Sequence, residues 1–202
     1  MGRRVYIHRC RNRRMTLKEY DDQDLIILAQ DGNKQAFGVL VERYMKRAYF
    51  VALGFVGTEE DALDLSQDAF VRAYRAIKRF ERGRRFFTWF YHILRNLCFN
   101  FIRDRKKRAY PFSQVSDHVI LQLCGEESGC PDNILVKKEQ SAHLWNAIQK
   151  LTEIEKEVII LREFQELSYQ EISQILNCPI GTVMSRLYNA RKHLAELMRG
   201  EL

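Results

Sequence analysis

The chain has 202 residues, enough for one domain or for two small ones that each bury a core of their own. Its five cysteines show no paired spacing, which argues against a disulfide framework, and no apolar run reaches the roughly 18 residues that a membrane span requires. No apolar stretch follows the arginine-rich start, so it is not a secretory signal and we expect the protein in the cytoplasm.

The positive charge is concentrated in one stretch of the chain. The formal net charge is +7, whereas residues 72–108 hold 13 Lys and Arg against only Glu81 and Asp104. That stretch alone carries +11, so the remaining residues sum to −4. A local basic patch interleaved with aromatic residues is typical of nucleic-acid binding, and its aromatics are not segregated as on a lipid-facing helix.

A basic arm and three helices are predicted first. Residues 1–21 form the arm, which we expect to be disordered; it is either a tail that touches nucleic acid or the product of a start codon upstream of a natural beginning at Met15. Capping and periodicity predict the following helices at residues 22–30, from Asn33 to near Gly57, and from Thr58 onward. The third helix is expected to turn four side chains inward: Leu63, Phe70, Tyr74 and Ile77.

Residues 84–108 predict a helix with two unlike faces, preceded by a short basic loop at 80–85. One stripe is apolar and can face a core: Phe86, Phe90, Ile93, Leu97 and Phe101. The opposite side mixes polar, cationic and aromatic side chains: Thr88, His92, Arg95, Asn96, Phe99 and Arg103. A helix that contacts phosphates and unstacked bases needs this mixture, although an ordinary amphipathic helix with a basic end is the alternative.

Residues 109–138 interrupt the helical pattern and predict a flexible linker, because they contain prolines, glycines and serines with little periodicity. His118, Cys124 and Cys130 lie in this segment. Their spacing matches no zinc pattern and a fourth ligand is not evident, so we predict neither a metal site nor a cofactor.

Helices resume at Glu139 and end in a helix-turn-helix pattern. After a helix at 140–150, Thr152 with Glu155 is a capping-box pair that opens a helix expected to bury Ile154, Val158 and Leu161. Ser168 with Glu171 repeats the pair and opens a helix that ends at Leu176. A tight break follows, and the last helix is predicted from Thr182 to about Met198.

The last helix has a core face and an outward face that could read DNA. The core face is expected to hold Val183, Leu187, Ala190 and Leu194. The outward side chains can hydrogen-bond base edges and phosphates: Ser185, Tyr188, Asn189 and Lys192, with Arg186 and Arg191 on the flanks. A helical hairpin that binds only protein is the alternative. The pattern as a whole predicts an all-α protein with two small helical domains, 22–108 and 139–202.

Three motifs, in chain order, resemble those of bacterial sigma factors of the extracytoplasmic function (ECF) group. EEDALDLSQDAFVRAYRAIKRF (59–80) resembles region 2.2, RRFFTWFYHILRNLCFNFIRDRKKR (84–108) resembles regions 2.3 and 2.4, and ELSYQEISQILNCPIGTVMSRLYNARKHL (166–194) is similar to region 4.2. The resemblance implies a transcription initiation factor, not an enzyme, that binds core RNA polymerase and directs it to promoters.

The resemblance also implies roles for residues of the first domain. One helix would dock on the clamp coiled coil of the largest polymerase subunit, with the flap as a further polymerase contact; its contact residues would be Asp64, Gln67, Asp68, Arg72 and Arg75. Asn96 matches the family position that reads a displaced base of the −10 element, with 80–87 as the pocket wall. The full −10 set is Phe80, Arg84, Phe87, Trp89, His92, Arg95, Asn96, Phe99 and Arg103.

In the second domain, the resemblance implies that the last helix enters the major groove of the −35 element. The −35 set is Thr182, Met184, Ser185, Arg186, Tyr188, Asn189, Arg191 and Lys192. Met184 and Asn189 stand where many relatives carry arginine, and because Asn favours adenine, we predict a −35 sequence that is not guanine-rich. The linker would thread through the polymerase. The family implies an anti-sigma factor as partner, often a membrane protein that holds the sigma factor at the membrane without inserting it.

Three other functions fit part of the pattern. A stand-alone helix-turn-helix regulator would bind duplex DNA without polymerase, but it leaves the aromatic residues near Asn96 unexplained. A DNA-processing enzyme would need clustered acids or histidines to hold a metal, and the five histidines are scattered. A sigma-like adaptor would dock on polymerase without opening DNA.

Overall fold

The computed structural model of the protein describes residues 16–107 and 143–199, and all regular structure within these ranges is helical. This agrees with the all-α prediction. Most of the basic arm, the linker with His118, Cys124 and Cys130, residues 139–142 and the last three residues lie outside the described residues. None of the described helices is both long and apolar enough to cross a membrane.

Within the described ranges, eight α-helices form two groups. The first group is α1 (Asp22–Gln30), α2 (Lys34–Val56), α3 (Glu59–Ala76) and α4 (Phe86–Lys107), with 3₁₀ turns at Leu17–Glu19 and Ile77–Arg79. The second group is α5 (143–150), α6 (Glu153–Ile159), α7 (Tyr169–Leu176) and α8 (Ile180–Arg199), with a π-helical turn, Ile160–Phe164, directly after α6.

The helix ends follow the capping residues of the sequence. Asn33 accepts a hydrogen bond from the Ala36 N–H at the start of α2, and the Ser168–Glu171 capping box is formed at the start of α7. The Thr152–Glu155 box opens α6 in the same way. Gly57 ends α2 at φ +78°, a left-handed conformation that glycine adopts without strain.

Residues 16–21, which composition assigned to the basic arm, are ordered against α2. Thr16 and Glu19 form a capping box on the first 3₁₀ turn. Arg43 of α2 donates to the backbone oxygens of Lys18 and Tyr20, at 2.8 and 2.5 Å. The first domain therefore includes residues 16–21.

The core of the first domain is an aromatic cluster on α3 and α4. Phe70 and Phe90 stack at 4.3 Å between ring centroids, and Phe86 lies 5.8 Å from Phe90. The predicted stripe is shifted, because Tyr91 and Leu94 are fully buried while Ile93 is only partly buried. Phe101 is likewise partly buried, and Cys98 is fully buried. Helix α4 thus has a wider buried face than the sequence predicted.

Two inward predictions were wrong. Leu63 is 45% exposed, because the buried side of α3 is formed by other residues: Ala62, Ser66, Ala69, Phe70 and Ala73. Ile154 is 52% exposed in the first turn of α6, while Leu151, just before that helix, is buried instead. The predicted core face of α8 was correct for Val183, Leu187 and Ala190.

The two domains pack against each other, which the sequence did not predict. Gly54 on α2 lies against Ile160 of the π-helical turn, and a Cβ at residue 54 would lie 2.5 Å from Ile160 Cδ1. Gln149 donates to the Gly54 carbonyl at 3.0 Å, and Arg47 Nε donates to Gln165 Oε1 at 2.9 Å. An Arg85–Glu171 ion pair lies at another edge of the contact.

Candidate nucleic-acid interface

The outer face of α4 brings together part of the residue set predicted to contact the −10 element. His92, Asn96 and Arg103 are exposed, and they follow each other at spacings that keep them near one side of the helix. Partial burial of the ring lowers the pKa of His92, and the neighbouring Arg95 charge lowers it further. The His92 ring is therefore neutral at neutral pH and can both donate and accept a hydrogen bond.

Arg95 and Phe99 lie beside this face but are engaged within the protein. The Arg95 guanidinium lies over the Phe99 ring, 4.2 Å from its centroid, and it forms an ion pair with Glu157 of α6. Tyr91 donates to the same Glu157 carboxylate at 2.9 Å. Burial raises the pKa of Tyr91 well above its usual value, and the Glu157 charge adds to that shift, so this hydroxyl remains a donor. The ring of Phe99 also contacts Phe55 in an edge-on geometry.

Two aromatic residues assigned to the pocket wall do not belong to the exposed face. Phe87 is 6% exposed, and the guanidinium of Arg47 lies 3.8 Å from its ring centroid. Nine residues, or two and a half helical turns, separate Phe87 from Asn96, so the two lie on opposite sides of α4. Phe80 is 4% exposed and packs against Trp89, with 5.0 Å between ring centroids. Trp89 itself is partly exposed.

The 80–85 loop before α4 presents arginine side chains. Arg82, Arg84 and Arg85 are exposed, and Arg84 pairs with Glu81 at 2.7 Å. Gly83 adopts φ +88°, which lets the loop turn sharply. The loop therefore places cations at the beginning of the helix that carries His92.

A second exposed face lies on α8. Met184 is 52% exposed and Tyr188 is 70% exposed. Ser185, Asn189 and Lys192 are exposed beside them, whereas Thr182 and Arg186 are partly buried. Arg191 is also exposed, and it donates to Glu163 at 2.6 and 3.0 Å; this hydrogen bond raises the pKa of the guanidinium.

The sequence prediction missed Ile180, which is 43% exposed and aligns with Met184 and Tyr188 at intervals of four residues. It was missed because α8 begins at Ile180, two residues before the predicted start at Thr182. Pro179 could have indicated this earlier start of α8, because proline commonly precedes or opens a helix.

A third exposed face lies on α3, which carries all the residues predicted to contact polymerase. Asp64, Gln67, Arg72 and Arg75 are exposed, and Asp68 pairs with Arg72 at 3.0 Å. Two apolar side chains that the sequence prediction did not include, Leu63 and Val71, are 45% and 47% exposed on the same helix. A partly apolar, partly charged helix face of this kind is typical of a protein-docking surface.

Within residues 16–107 and 143–199, no group of three or more His, Cys, Asp or Glu side chains is arranged to hold a metal ion. The three exposed faces offer hydrogen bonding, charge and apolar contact.

Comparison with known proteins identifies the family. The Sigma-70 region 2 model matches residues 40–108, and the Sigma-70 region 4 model matches residues 142–194. The RNA polymerase sigma-H factor of Pseudomonas aeruginosa is 33% identical over 192 residues, covering 91% of this chain and 96% of that protein. The ECF RNA polymerase sigma-E factor of Escherichia coli K12 is 34% identical over 182 residues, covering 87% and 93%.

A solved structure has the same arrangement of helices. CnrH, solved in complex with the cytosolic domain of CnrY, superposes with a TM-score of 0.67 at 25% sequence identity. The match covers 90% of this chain and 99% of CnrH, so it includes both helical domains. The two family models, the two relatives and this fold agree: the protein belongs to the ECF sigma factors of bacterial RNA polymerase.

Proposed function

We propose that this protein binds core RNA polymerase, directs it to promoters by reading a −35 element with α8 and a −10 element with α4, and helps to open the −10 DNA. The observation that carries the proposal is the exposed His92–Asn96 face of α4, which accompanies a separate helix-turn-helix in one chain. A regulator that only binds duplex DNA needs the helix-turn-helix but has no use for the face on α4.

At the −10 element, the exposed face of α4 is proposed to bind a base that has left the base stack. Unstacking costs a few kcal/mol per step, and stacking on a protein ring can offset about 1–3 kcal/mol per base. Asn96 offers an amide that can pair with a base edge, and the neutral ring of His92 lies one helical turn away. The 80–85 loop would border the displaced base, as the family resemblance implies, while its arginines and Arg103 would contact the phosphates on either side.

At the −35 element, α8 is proposed to enter the major groove. Asn189 and Ser185 would contact base edges, and Lys192 would contact a phosphate. The stripe of Ile180, Met184 and Tyr188 adds apolar surface, which favours contact with thymine methyl groups. This composition supports an A- and T-containing −35 element.

The α3 face is proposed to dock on the clamp coiled coil of the largest polymerase subunit. Charged residues flanked by Leu63 and Val71 supply the polar and apolar contacts that an interface needs. All catalysis then belongs to the polymerase, in keeping with the sigma factor family.

A regulatory partner is proposed from the fold neighbour. CnrH was solved with the cytosolic domain of CnrY bound, and it matches this chain over both domains. We infer that an anti-sigma factor binds this protein and holds it away from polymerase, at the cytoplasmic side of the membrane when that partner is membrane-bound.

The test is run-off transcription on genomic DNA fragments by purified bacterial core polymerase, with and without this protein. New start sites that share −35 and −10 elements are the expected result, and they identify both motifs. Silent polymerase, together with a duplex DNA shift by the protein alone, would instead support the stand-alone regulator and remove the role given to α4.

A third result is informative as well. If the protein binds core polymerase but produces no new start sites, it acts as an adaptor without promoter opening. An Asn96→Ala variant should then behave as the unchanged protein does, whereas an initiation factor should lose −10 selectivity. Lys46→Ala, an exposed residue on α2 outside the three faces, is the matched control.

A further inference from the structure

The 80–85 loop that precedes α4 is held by two side chains of another helix. Gln23 and Gln30 both belong to α1, seven residues or about two turns apart, so they face the same side of that helix. Neither residue belongs to the sets that the sequence assigned to DNA or polymerase contact.

Gln23 binds two consecutive loop residues with its two amide atoms. The Gly83 N–H donates to Gln23 Oε1 at 3.0 Å, and Gln23 Nε2 donates to the Arg84 carbonyl oxygen at 2.8 Å. The loop turns at this point, because Gly83 has φ +88°. One amide group thus fixes both sides of the turn.

Gln30 ties the beginning of the loop to the end of α3. Its Nε2 donates to the carbonyl oxygens of Ile77 and Phe80, at 3.1 and 2.9 Å. Its Oε1 accepts a hydrogen bond from Arg82 Nε at 3.1 Å. This second amide therefore orients the loop backbone and one of the loop arginines together.

The chemistry of an amide suits this position. A carboxylate would form an ion pair with the loop arginines and reduce the positive charge that they offer to phosphates. A glutamine supplies a donor and an acceptor without a charge, so Gln30 holds Arg82 without offsetting its positive charge. Salt also screens such neutral hydrogen bonds less than it screens an ion pair.

We propose that Gln23 and Gln30 are positioning residues that hold the 80–85 loop in the shape that receives the displaced base of the −10 element. The inference rests on the proposed function. It assigns to α1 a part in promoter selectivity, through the loop and without contact to DNA.

The test uses holoenzymes that contain Gln23→Met, Gln30→Met or both changes, on a promoter library with every −10 position randomised. Methionine keeps the length and helix propensity of glutamine but cannot make these hydrogen bonds. We expect the double variant to lose about fivefold in discrimination at the displaced base, because five hydrogen bonds that shape the loop are lost. Preference at −35 and competition for core polymerase should not change.

Gln35→Met is the matched control, because Gln35 is an exposed glutamine on α2 outside the loop contacts. An unchanged −10 preference profile in the double variant would overturn the proposal. So would an equal loss of transcription on every −10 sequence, since that result would assign the glutamines to stability alone.

Hydrogen exchange at the Gly83 amide gives a readout that does not depend on transcription. Gln23→Met should speed this exchange by about tenfold, since the N–H loses its acceptor. Unchanged exchange would also overturn the inference. If the unmodified protein starts no specific transcripts, the proposed function fails, and the exchange rate still reports separately whether the glutamines order the loop.

Discussion

Asn189 and Lys192 are exposed on the same side of α8 but offer different chemistry to DNA. An asparagine amide can pair with the adenine edge in the major groove, whereas an ammonium group mainly neutralises a phosphate. The two residues therefore allow selectivity and affinity to be separated at one surface.

We expect Asn189→Ala to reduce the preference for one −35 base by about 1–3 kcal/mol, because that base loses its hydrogen-bonding partner. Holoenzyme transcription from promoters with single −35 substitutions measures this change. Lys192→Ala is the control; it should weaken binding to all sequences alike and lower the salt dependence. An Asn189→Ala holoenzyme with the same base preference would contradict the assignment.

The thiol of Cys98 should be inert in the folded protein. Burial in α4 raises its pKa to about 12, so at pH 8 the reactive thiolate is almost absent. We expect iodoacetamide at pH 8 to label the same number of thiols in the native protein and in a Cys98→Ser variant, as counted by mass spectrometry. In 6 M guanidinium chloride, the unchanged protein should gain one label more than the variant. A difference under native conditions would contradict the burial.

Individual residues also show where sequence reasoning fails. Leu63 and Ile154 have the spacing of core residues, yet both are exposed, because the neighbouring helix covers only part of the periodic stripe. Phe87 was assigned to a DNA pocket from its place in the motif, but it is buried below Arg47. Periodicity gives the angle of a side chain around its helix, and the partner that covers it depends on tertiary packing.

Among the elements, the helix starts marked by a capping box were predicted well, because capping is local chemistry, whereas the start of α8 was predicted two residues late. The Thr152–Glu155 and Ser168–Glu171 boxes are both formed. The glutamine contacts of α1 could not be predicted, since they join residues 47 to 61 positions apart through backbone atoms that any sequence has.

The start of α7 should carry a pH-dependent part of the stability. The hydroxyl and backbone N–H of Ser168 lower the pKa of Glu171, and Arg85 adds to this shift. A lowered folded-state pKa means that the stabilisation is present above the unfolded value of about 4.3 and is lost as pH falls through the folded value.

We therefore expect Glu171→Gln to lower the free energy of unfolding by about 0.5–1 kcal/mol at pH 6 and by progressively less as the pH falls below about 4.3. Glutamine keeps the capping geometry but has no charge for Arg85. Urea unfolding of both proteins between pH 3 and pH 6 measures the difference. A difference that stays constant over this range would contradict the role of the charge.

The apolar edge of the α3 face should matter for polymerase binding. We expect Val71→Asp to weaken binding to core polymerase at least about tenfold, because it places a charge where an apolar contact is proposed. Competition against the unchanged protein for core polymerase gives the affinity. Ile154→Asp replaces a similarly exposed aliphatic residue on α6 and should have no effect. Equal effects of the two changes would contradict the docking face.

For the molecule as a whole, the contact between the two domains depends on a glycine. A Cβ at position 54 would lie 2.5 and 2.7 Å from two carbon atoms of Ile160, whose side chain is fully buried. Alanine favours the helix over glycine by about 0.5–1 kcal/mol, so Gly54→Ala should leave α2 intact and weaken the domain contact.

We expect Gly54→Ala to increase the radius of gyration in small-angle X-ray scattering while the helical circular dichroism stays the same. Gly38→Ala is the matched control, because a Cβ added to this second α2 glycine would meet no side chain or neighbouring element within 4 Å, apart from its two chain neighbours. An unchanged radius of gyration for Gly54→Ala, or an equal increase for Gly38→Ala, would show that Gly54 does not control the contact between the two domains.

When the two domains pack together, the Glu157 carboxylate competes with DNA for Arg95. It holds Arg95 through an ion pair, as a phosphate oxygen of the promoter would. DNA that recruits Arg95 must first displace this internal anion, and added salt weakens both interactions. For this side chain the two salt effects offset each other, so promoter affinity should fall less steeply with ionic strength than the number of its phosphate contacts alone would require.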